Sequence, residues 1–566
     1  MKKKIVPAII AIALIFIILV IAGGISIIER FSYSKERMNP SEYFGITDDS
    51  SVAVVLQDEL IDIKAKLIDG TYYMSIDDIY SIIDQRFYVD NNEQLLIYTT
   101  ADDIVKNPIG TQTYIRYGEE KSADYAISKI DGDKLYIALD YVKMFVNFSY
   151  QTYAEPNRMQ LRTQWGTRQS VMVKKDSAVR YRGGVKSEIL KDVAKGEQLT
   201  VLEELDDWTK VKTEDCYIGY IEKKAISSAL TEEEIATTDA DIAEYTTVHK
   251  DYKINMGWHA IYSVSGNDTF DEVVNGTGTM SIISPTWFSI ADNNGSIRSF
   301  ASESYVNKAH GRNMEVWAMV DNFNAADVST LEIMSYTSKR EQLVSNLMSY
   351  VAQYNLDGLN LDFEQLPSEA VPHYVEFIRE LSVACRKAGI VLSVNNYPPQ
   401  GGSNYNLKEQ GVVCDYVIMM GYDEHWAGCD EAGSVASIGY VEQGISMILD
   451  QGVPADKLIN AIPFYTRLWK TNGSEVSSEA LGMNTASEFI ANNSITTTWD
   501  DATCQNYGEM QKDGTLYQIW LEDKESIETK LTIMNKYGLA GVAQWQLGME
   551  DKDIWSVIDS FVKNGN

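Results

Sequence analysis

A short apolar segment, LDGLNLDFE at residues 356–364, carries the residue types that could do chemistry. Asn360, Asp362 and Glu364 occupy every second position, with apolar side chains between them. Because successive side chains of a β-strand point to opposite faces, this spacing predicts one apolar face and one face with two carboxyl groups. Such close acids repel each other, and burial raises their pKa values further. The segment therefore predicts a strand whose end supplies a general acid that works near neutral pH.

The region that must position these acids is predicted to be a barrel. From about residue 250 onward, β-rich runs alternate with amphipathic helical patterns, and eight such strands predict an α/β (β/α)8 TIM barrel at 249–566. Catalytic groups of such barrels lie at the C-terminal ends of the strands, so the fourth strand would place Glu364 nearest the mouth. The stretch 468–525, between the seventh and eighth strands, is too long for one helix and predicts a small β-containing insertion.

Two regions with no chemical signature are predicted at the N-terminal side. Residues 31–50 are polar and predict a stalk. Residues 51–165 form an α+β repeat region, in which 72–100 resembles 135–163. Each copy predicts a short strand, a helix that opens near an Asp, and a closing pair of strands. The pattern resembles the small N-terminal repeats of copper amine oxidases and of many Gram-positive surface proteins, which indicates a spacer or wall-contact module.

A small all-β domain is predicted next, at 169–228. Short alternating runs separated by turn signals are typical of such a barrel. The segment resembles a bacterial SH3-like domain, and this resemblance implies cell-wall peptide or glycan as its partner and a core position for Trp208. Residues 229–248 follow as an acidic linker.

The N-terminus predicts a membrane anchor at residues 1–30. Lys2, Lys3 and Lys4 precede an uncharged stretch that ends before Glu29. Twenty or so apolar residues are enough to span a bilayer as a helix, and the lysines favour a cytoplasmic N-terminus. We expect a single-pass protein of the cell membrane with its catalytic domain extracellular. Secretion after cleavage of a signal peptide is the alternative.

Composition narrows the classes of partner. The length of 566 residues predicts several domains, and the net charge of −32 argues against nucleic acid, whose phosphates need clustered Lys and Arg. Five cysteines are too scattered for a disulfide framework, although a bridge between Cys429 and Cys504 is open. With five histidines and no CxxC or HExxH motif, neither a metal site nor a cofactor is expected.

Four motifs resemble one enzyme family. DGLNLDFE resembles the DGxDxDxE signature of glycoside hydrolase family 18, the chitinase-like (β/α)8 enzymes. MGYD at 420–423 resembles the M-x-Y-D strand of that family, IPFYTRLW at 462–469 its seventh-strand motif, and AQWQLG holds its eighth-strand tryptophan at Trp545. The resemblance covers roughly 250–566 and is greatest to the branch of cell-wall and spore-cortex N-acetylglucosaminidases.

The resemblance implies a retaining mechanism in which the 2-acetamido group of the substrate is the nucleophile. Glu364 would protonate the glycosidic oxygen and then activate water, Asp362 would orient the acetamido N–H, and Tyr422 would donate a hydrogen bond to the acetamido oxygen. The resemblance also implies a set of substrate-binding residues, namely Asn360, Asp423, Trp545, Met420, Tyr465 and Arg467.

Two further expectations concern this chain's own residues. Asn360 stands where many chitinases have aspartate, and an amide cannot carry charge, so Asp362 should ionise more readily and the pH dependence should change. Two of five other tryptophans are expected to stack on sugars, the five being Trp258, Trp287, Trp317, Trp426 and Trp469.

We therefore expect an extracytoplasmic β-N-acetylglucosaminidase that binds N-acetylated glycan polymers, peptidoglycan before chitin. A chitinase, or an endo-β-N-acetylglucosaminidase acting on N-glycans, is the alternative within the enzyme class. A glycan-binding wall protein without catalysis is the alternative from another class.

Overall fold

The computed structural model describes residues 5–323, 327–402 and 405–564. The chain divides into two compact units, and the division passes through the predicted repeat region 51–165. The first unit consists of Met1–Phe87, Asn107–Ile115 and Glu120–Ile242. The second unit consists of Tyr88–Lys106, Arg116–Glu119 and Ala243–Asn566.

The first unit begins with the helix Ile5–Phe31, followed by the short helix Pro40–Phe44. Counting only the residues that the structure describes, no helix is both long and apolar enough to cross a membrane. Lys2, Lys3 and Lys4 lie outside the described residues. The predicted anchor therefore receives no support from the structure and stays a prediction.

Both copies of the repeat have the order strand, helix, strand, strand. The helices are Ile76–Ile82 and Leu139–Val142, and each begins directly after a strand. Within the described ranges, seven strands form one sheet, in the order Ser149–Tyr153, Arg158–Arg162, Ser51–Leu56, Glu59–Ile68, Thr71–Ser75, Lys134–Ala138 and Ser128–Asp131. Further strands follow the first of these helices, at Phe87–Asp90, Leu95–Thr99, Ile104–Pro108, Thr113–Arg116 and Glu119–Ser122.

The all-β region has a small core of aliphatic side chains, among them Val171, Val179, Val211 and Ile221. Trp208, expected in this core, is half-buried instead and lines a cavity of about 750 Å³. The antiparallel strands described here have the order Ile189–Val193, Ser177–Arg180, Ile218–Glu222, Trp208–Lys212, Gln198–Glu204, Thr167–Met172 and Leu230–Glu233.

The second unit contains the barrel. Among its described residues, eight parallel strands close into a ring, because the second strand pairs with both the first and the third. Their bounds are β1 Ile254–His259, β2 Ile282–Pro285, β3 Glu315–Asp321, β4 Gly358–Asp362, β5 Val391–Asn396, β6 Tyr416–Met420, β7 Leu458–Pro463 and β8 Gly541–Trp545. A β-hairpin, Phe288–Ile290 and Ile297–Ser299, adds to the edge of β3. The predicted barrel is thus present.

Helices cover the outer face of the barrel, and their apolar sides pack on a core that is continuous with the strands. Several end in a left-handed residue that suits a helix C-cap, such as Asn355, Gly389 and Gly538. The helices of the unit are Phe270–Val273, Glu303–His310, Thr330–Ser335, Thr337–Tyr354, Val371–Ala388, Leu407–Val413, Ile438–Asp450, Met483–Asn492, Lys524–Tyr537 and Trp555–Asn564.

Between β7 and β8 the chain forms an antiparallel sheet around a core of Leu468, Ala486 and Ile519. Its described strands have the order Glu475–Gly482, Tyr465–Asn472, Thr515–Leu521, Gln505–Lys512 and Thr497–Asp500. Tyr465 and Arg467, predicted in the seventh-strand motif, belong to this sheet instead. The barrel strand ends at Pro463, and the chain pairs from Tyr465 onward with Glu475–Gly482.

Residues 88–106 pack against the two helices that flank β4, within the second unit. Thr99 donates a hydrogen bond to Glu376 at 2.6 Å, and Asp90 accepts one from the hydroxyl of Thr337 at 2.6 Å. Between the helices, Arg340 and Glu380 form a fully buried ion pair with N–O distances of 2.8 and 2.9 Å. The strand that carries the predicted acids is thus held between two cross-linked helices.

Candidate active site

The fourth barrel strand delivers both predicted acids to the C-terminal mouth. Its apolar side chains Leu359 and Leu361 are fully buried against the helices, which leaves Asp362 on the inner face and Glu364 just beyond the strand end. Asp362 is 5% exposed and Glu364 is partly buried. The first residue of the strand, Gly358, has no room for a side chain, because a Cβ there would lie 2.8 Å from the ring of Trp317. The alternation in the sequence thus correctly assigned the two faces.

Asn360 lies one layer below the acids, inside the barrel. Its Oδ1 accepts a hydrogen bond from Trp258 Nε1 at 2.9 Å, and its Nδ2 donates to Ser393 Oγ at 2.9 Å and to Asn395 Oδ1 at 2.8 Å. Asn395 in turn donates from Nδ2 to Asp362 Oδ1 at 2.9 Å. Because Asn360 is fully buried and its amide is bonded to protein groups, the predicted substrate contact of Asn360 is wrong. It supports the residue that orients Asp362.

Glu364 is held at both its backbone and its carboxyl group. Asn322, which follows β3, donates from Nδ2 to the carbonyl oxygen of Glu364 and accepts from its N–H, both at 2.9 Å. The hydroxyl of Tyr397, which follows β5, donates to Glu364 Oε2. Burial and the Glu364 carboxylate keep the pKa of Tyr397 well above its ordinary value, so this hydroxyl keeps its proton. Asn322 and Tyr397 therefore fix where the carboxyl group points.

The two acids titrate together. Burial, then the Glu364 carboxylate and then Asp321 raise the pKa of Asp362, against the hydrogen bond from Asn395. Burial, Asp423 and Asp321 raise the pKa of Glu364, while the hydrogen bond from Tyr397 lowers it. The pair therefore holds a proton at a pH where isolated carboxyl groups have lost theirs. Burial and the neighbouring acids thus dominate the pKa of Asp362. The expectation that Asn360 makes Asp362 ionise more readily compares this chain with one that has aspartate at position 360, and it stays a prediction.

Two residues that follow β6 complete the mouth. Tyr422 is 8% exposed, and its ring centroid lies 6.2 Å from that of Tyr465. Burial raises the pKa of Tyr422 well above its ordinary value, and the Asp362, Asp423 and Glu364 carboxylates raise it further, so its hydroxyl can serve as a donor. Asp423 accepts a hydrogen bond from the Tyr465 hydroxyl at 2.5 Å and has a backbone φ of 59°. A left-handed backbone is uncommon at a non-glycine residue, and aspartate adopts it more often than most residues.

The remaining predicted substrate-binding residues lie around this centre. Trp545 ends β8, with its ring 6.0 Å from that of Trp258 in an edge-on arrangement. Met420 ends β6 and is buried. Arg467 donates from Nη1 to Ser478 Oγ at 3.1 Å, within the sheet that follows β7, and its charge lowers the pKa of Tyr465 against the larger effect of burial. The roles of these residues toward a sugar stay predictions.

Most of the tryptophans that were expected to stack on sugars are buried. Trp258, Trp287, Trp317 and Trp469 are at most 1% exposed, so their rings are core. Trp426, which is 56% exposed, is the one of these five with a free face.

No described cysteine is bridged, so the bond considered between Cys429 and Cys504 is absent. Over the residues with described positions, no cluster of three or more His, Cys, Asp or Glu side chains is arranged to hold a metal ion.

Comparison with known proteins agrees with this geometry. Residues 287–550 match the model of glycosyl hydrolases family 18, and the acids lie inside the matched range. This part of the chain is a family 18 glycosyl hydrolase domain. Residues 178–227 match the bacterial SH3 domain model. The predictions of a glycoside hydrolase and of an SH3-like domain are therefore confirmed at the level of these two families.

Two relatives and one solved structure resemble the family 18 domain. The "Uncharacterized glycosylase YvbX" of Bacillus subtilis is 24% identical over 47% of this chain and 80% of that protein. The "Cortical fragment-lytic enzyme" of Bacillus anthracis is 22% identical over 43% of this chain, and the match spans only 59% of that relative. The crystal structure titled "C-terminal domain of putative chitinase" from Desulfitobacterium hafniense superposes with a TM-score of 0.51 at 22% identity, covering 56% of this chain and 99% of that one, which supports the barrel fold.

Sequence reasoning missed four residues of the family 18 site, namely Asp321, Asn322, Asn395 and Tyr397. All four lie at or just after the ends of β3 and β5. A usable signal was present, because polar residues directly follow the apolar runs EVWAMV and VLSV. The C-terminal ends of parallel strands meet at one face of a barrel, so such residues are candidates for the mouth.

Proposed function

We propose that the chain hydrolyses β-1,4 bonds of N-acetylglucosamine-containing glycans by a retaining, substrate-assisted mechanism. The observation that carries the proposal is Glu364, a carboxyl group with a raised pKa that Asn322 and Tyr397 fix at the barrel mouth, two residues from Asp362. A general acid needs its proton near the operating pH, and this environment favours the protonated form.

The two carboxyl groups take different parts in the proposed reaction. Glu364 protonates the glycosidic oxygen while the acetamido oxygen of the same sugar attacks the anomeric carbon, and Glu364 then takes a proton from the incoming water. Asp362, oriented by Asn395, accepts the acetamido N–H and stabilises the positive charge of the cyclic intermediate. Because the two acids share a proton, that proton must reside on Glu364 when the substrate is bound. Tyr422 donates to the attacking oxygen.

Peptidoglycan is the preferred substrate in this proposal, and the name of the cortical fragment-lytic relative supports it together with the SH3 domain. The SH3-like domain would bind cell-wall polymer. Chitin, or the core of N-glycans, is the second candidate, which the chitinase title of the solved structure favours. Product analysis on purified peptidoglycan, colloidal chitin and a glycoprotein separates these substrates.

Glu364→Gln tests the proposal. We expect loss of reducing-end release from every N-acetylated glycan with the unfolding midpoint unchanged, because glutamine keeps the shape but cannot donate the proton. Glu369→Gln is the matched control, since Glu369 is exposed five residues further on. Unchanged hydrolysis by Glu364→Gln would overturn the mechanism. Saturable glycan binding by the wild type without any product would favour the non-catalytic wall protein instead.

A membrane-anchored, extracytoplasmic location is proposed from the sequence alone, with secretion after signal cleavage as the alternative. Fractionation of cells that produce the full chain, followed by the mass of its N-terminal peptide, distinguishes the two.

A further inference from the structure

A third carboxyl group lies beside the catalytic pair. Asp321 ends β3, and in the parallel ladder between β3 and β4 it is the register partner of Asp362. Register partners on neighbouring strands point to the same face, and the strands lie about 4.8 Å apart. Asp321 is 6% exposed and Asp362 is 5% exposed. The two side chains therefore share one poorly solvated corner of the mouth.

Three groups around Asp321 oppose the effect of burial and favour its ionised form. Ser289 Oγ donates to Asp321 Oδ2 at 3.0 Å, and the N–H of Phe323 donates to Oδ1 at 2.9 Å. Arg298 Nη2 donates to Ser289 Oγ at 2.9 Å. Burial raises the pKa of Asp321, while Ser289, Phe323 and Arg298 act in the opposite direction. Both oxygens of Asp321 accept hydrogen bonds, as in an ionised carboxylate.

We propose that Asp321 is a positioning residue that supplies a further negative charge at the mouth from β3 and thereby, together with Asp423, keeps the shared proton on the Asp362–Glu364 pair. It takes the place of the charge that is absent at Asn360. The inference rests on the proposed hydrolase function, since it specifies how the general acid stays protonated.

Groups from every element around the mouth face the pair, and Asp321 differs from the others in two ways. It is a strand neighbour of Asp362, and its carboxylate raises the pKa of both Asp362 and Glu364, although burial and Glu364 have larger effects on Asp362, and burial and Asp423 have larger effects on Glu364. The other titratable or charged groups around the pair include Tyr374 on the helix after β4, Tyr397 and Tyr405 after β5, Tyr422 and Asp423 after β6, and Arg298 on the hairpin.

Asp321→Asn tests the inference through the pH profile of kcat/KM. Asparagine has the same shape and can still bond to both Ser289 and the N–H of Phe323, but it removes the charge. At an effective dielectric constant of about 20, two carboxylates about 10 Å apart interact by about one pKa unit, and carboxylates that lie closer together interact more strongly. Without Asp321 the pair releases its proton more easily, so we expect the alkaline limb to move to lower pH by at least about one unit, on the glycan that the wild type cuts fastest.

Two companion variants keep the test decisive. Asp415→Asn is the matched control, because Asp415 is a buried carboxyl group that accepts two backbone N–H groups at the opposite end of the barrel, and its loss should leave the profile in place. Ser289→Ala keeps the Asp321 carboxyl group but removes one donor, which raises the pKa of Asp321, so a smaller shift in the same direction is expected.

The outcomes separate the inference from the function. An acidward shift in Asp321→Asn and Ser289→Ala, but not in Asp415→Asn, supports the inference. If the wild type and Asp321→Asn have superimposable profiles while Glu364→Gln is inactive, the inference is overturned and the hydrolase function stands. If the wild type cuts no N-acetylated glycan, both the inference about Asp321 and the proposed hydrolase function are wrong.

Discussion

Replacing Tyr397 by phenylalanine removes the one hydroxyl that donates to the Glu364 carboxyl group among the contacts described. A hydrogen bond to a charged group contributes about 1.5–3 kcal/mol. Because Glu364 is only partly buried and water can replace the hydroxyl in part, the low end of that range applies. With about 1.4 kcal/mol for each pKa unit, the expected change is about one unit.

The direction of the pKa change depends on which protonation state of Glu364 the hydrogen bond from Tyr397 stabilises. Tyr397 donates to the ionised carboxylate and so lowers the pKa of Glu364. In Tyr397→Phe the pKa of Glu364 should rise, the general acid should stay protonated to higher pH, and the alkaline limb of kcat/KM should move up by about one pH unit. This direction is opposite to that expected for Asp321→Asn.

The assay is the rate of reducing-end release from an N-acetylglucosamine oligomer between about pH 4 and 10, roughly the range over which carboxyl and phenol groups titrate. Tyr374→Phe is the matched control, since the buried Tyr374 hydroxyl has no hydrogen-bond partner among the described residues. An alkaline limb that stays in place, or moves to lower pH, in Tyr397→Phe would refute the reasoning about how Glu364 is held.

Two further predictions concern positioning and stability. Asn322→Ala removes both hydrogen bonds to the Glu364 backbone, so kcat should fall at least about tenfold with the pH limbs unmoved, whereas a shifted limb would contradict a purely positional role. Glu380→Ala leaves the Arg340 guanidinium buried without its carboxylate, so urea unfolding should show a loss of about 3–5 kcal/mol. A loss below about 1 kcal/mol would contradict the importance of the ion pair, and the conservative Glu380→Gln should lose less.

The predictable part of the site was the part encoded within one strand. Asp362 and Glu364 alternate with apolar residues, so their shared face follows from the two-residue period alone. The pairing of Asp321 with Asp362 could not be read in this way. The two residues are separated by a full helical connection, and their register depends on how the barrel closes.

Two other features that the sequence did not predict correctly also have physical explanations. Tyr465 and Arg467 continue the apolar pattern of β7 without a break in the sequence, yet the strand ends at Pro463 and the chain turns into another sheet. Asp90 and Thr99 look like ordinary turn and strand residues, and only tertiary packing gives them partners on Thr337 and Glu376. The local sequence patterns thus predicted the helices and strands. The hydrogen-bond partners of the polar side chains could not be predicted, because they depend on the tertiary fold.

The most direct measurement compares two matched oligosaccharides that differ only at the sugar whose bond is cut, one with a 2-acetamido group and one with a free 2-amino group. If the acetamido oxygen is the nucleophile, the wild type should cut the acetylated oligomer at least about a thousandfold faster, since the amine offers no carbonyl oxygen in its place. Equal rates on the two oligomers would contradict the assignment of Glu364 and Asp362 to a substrate-assisted reaction.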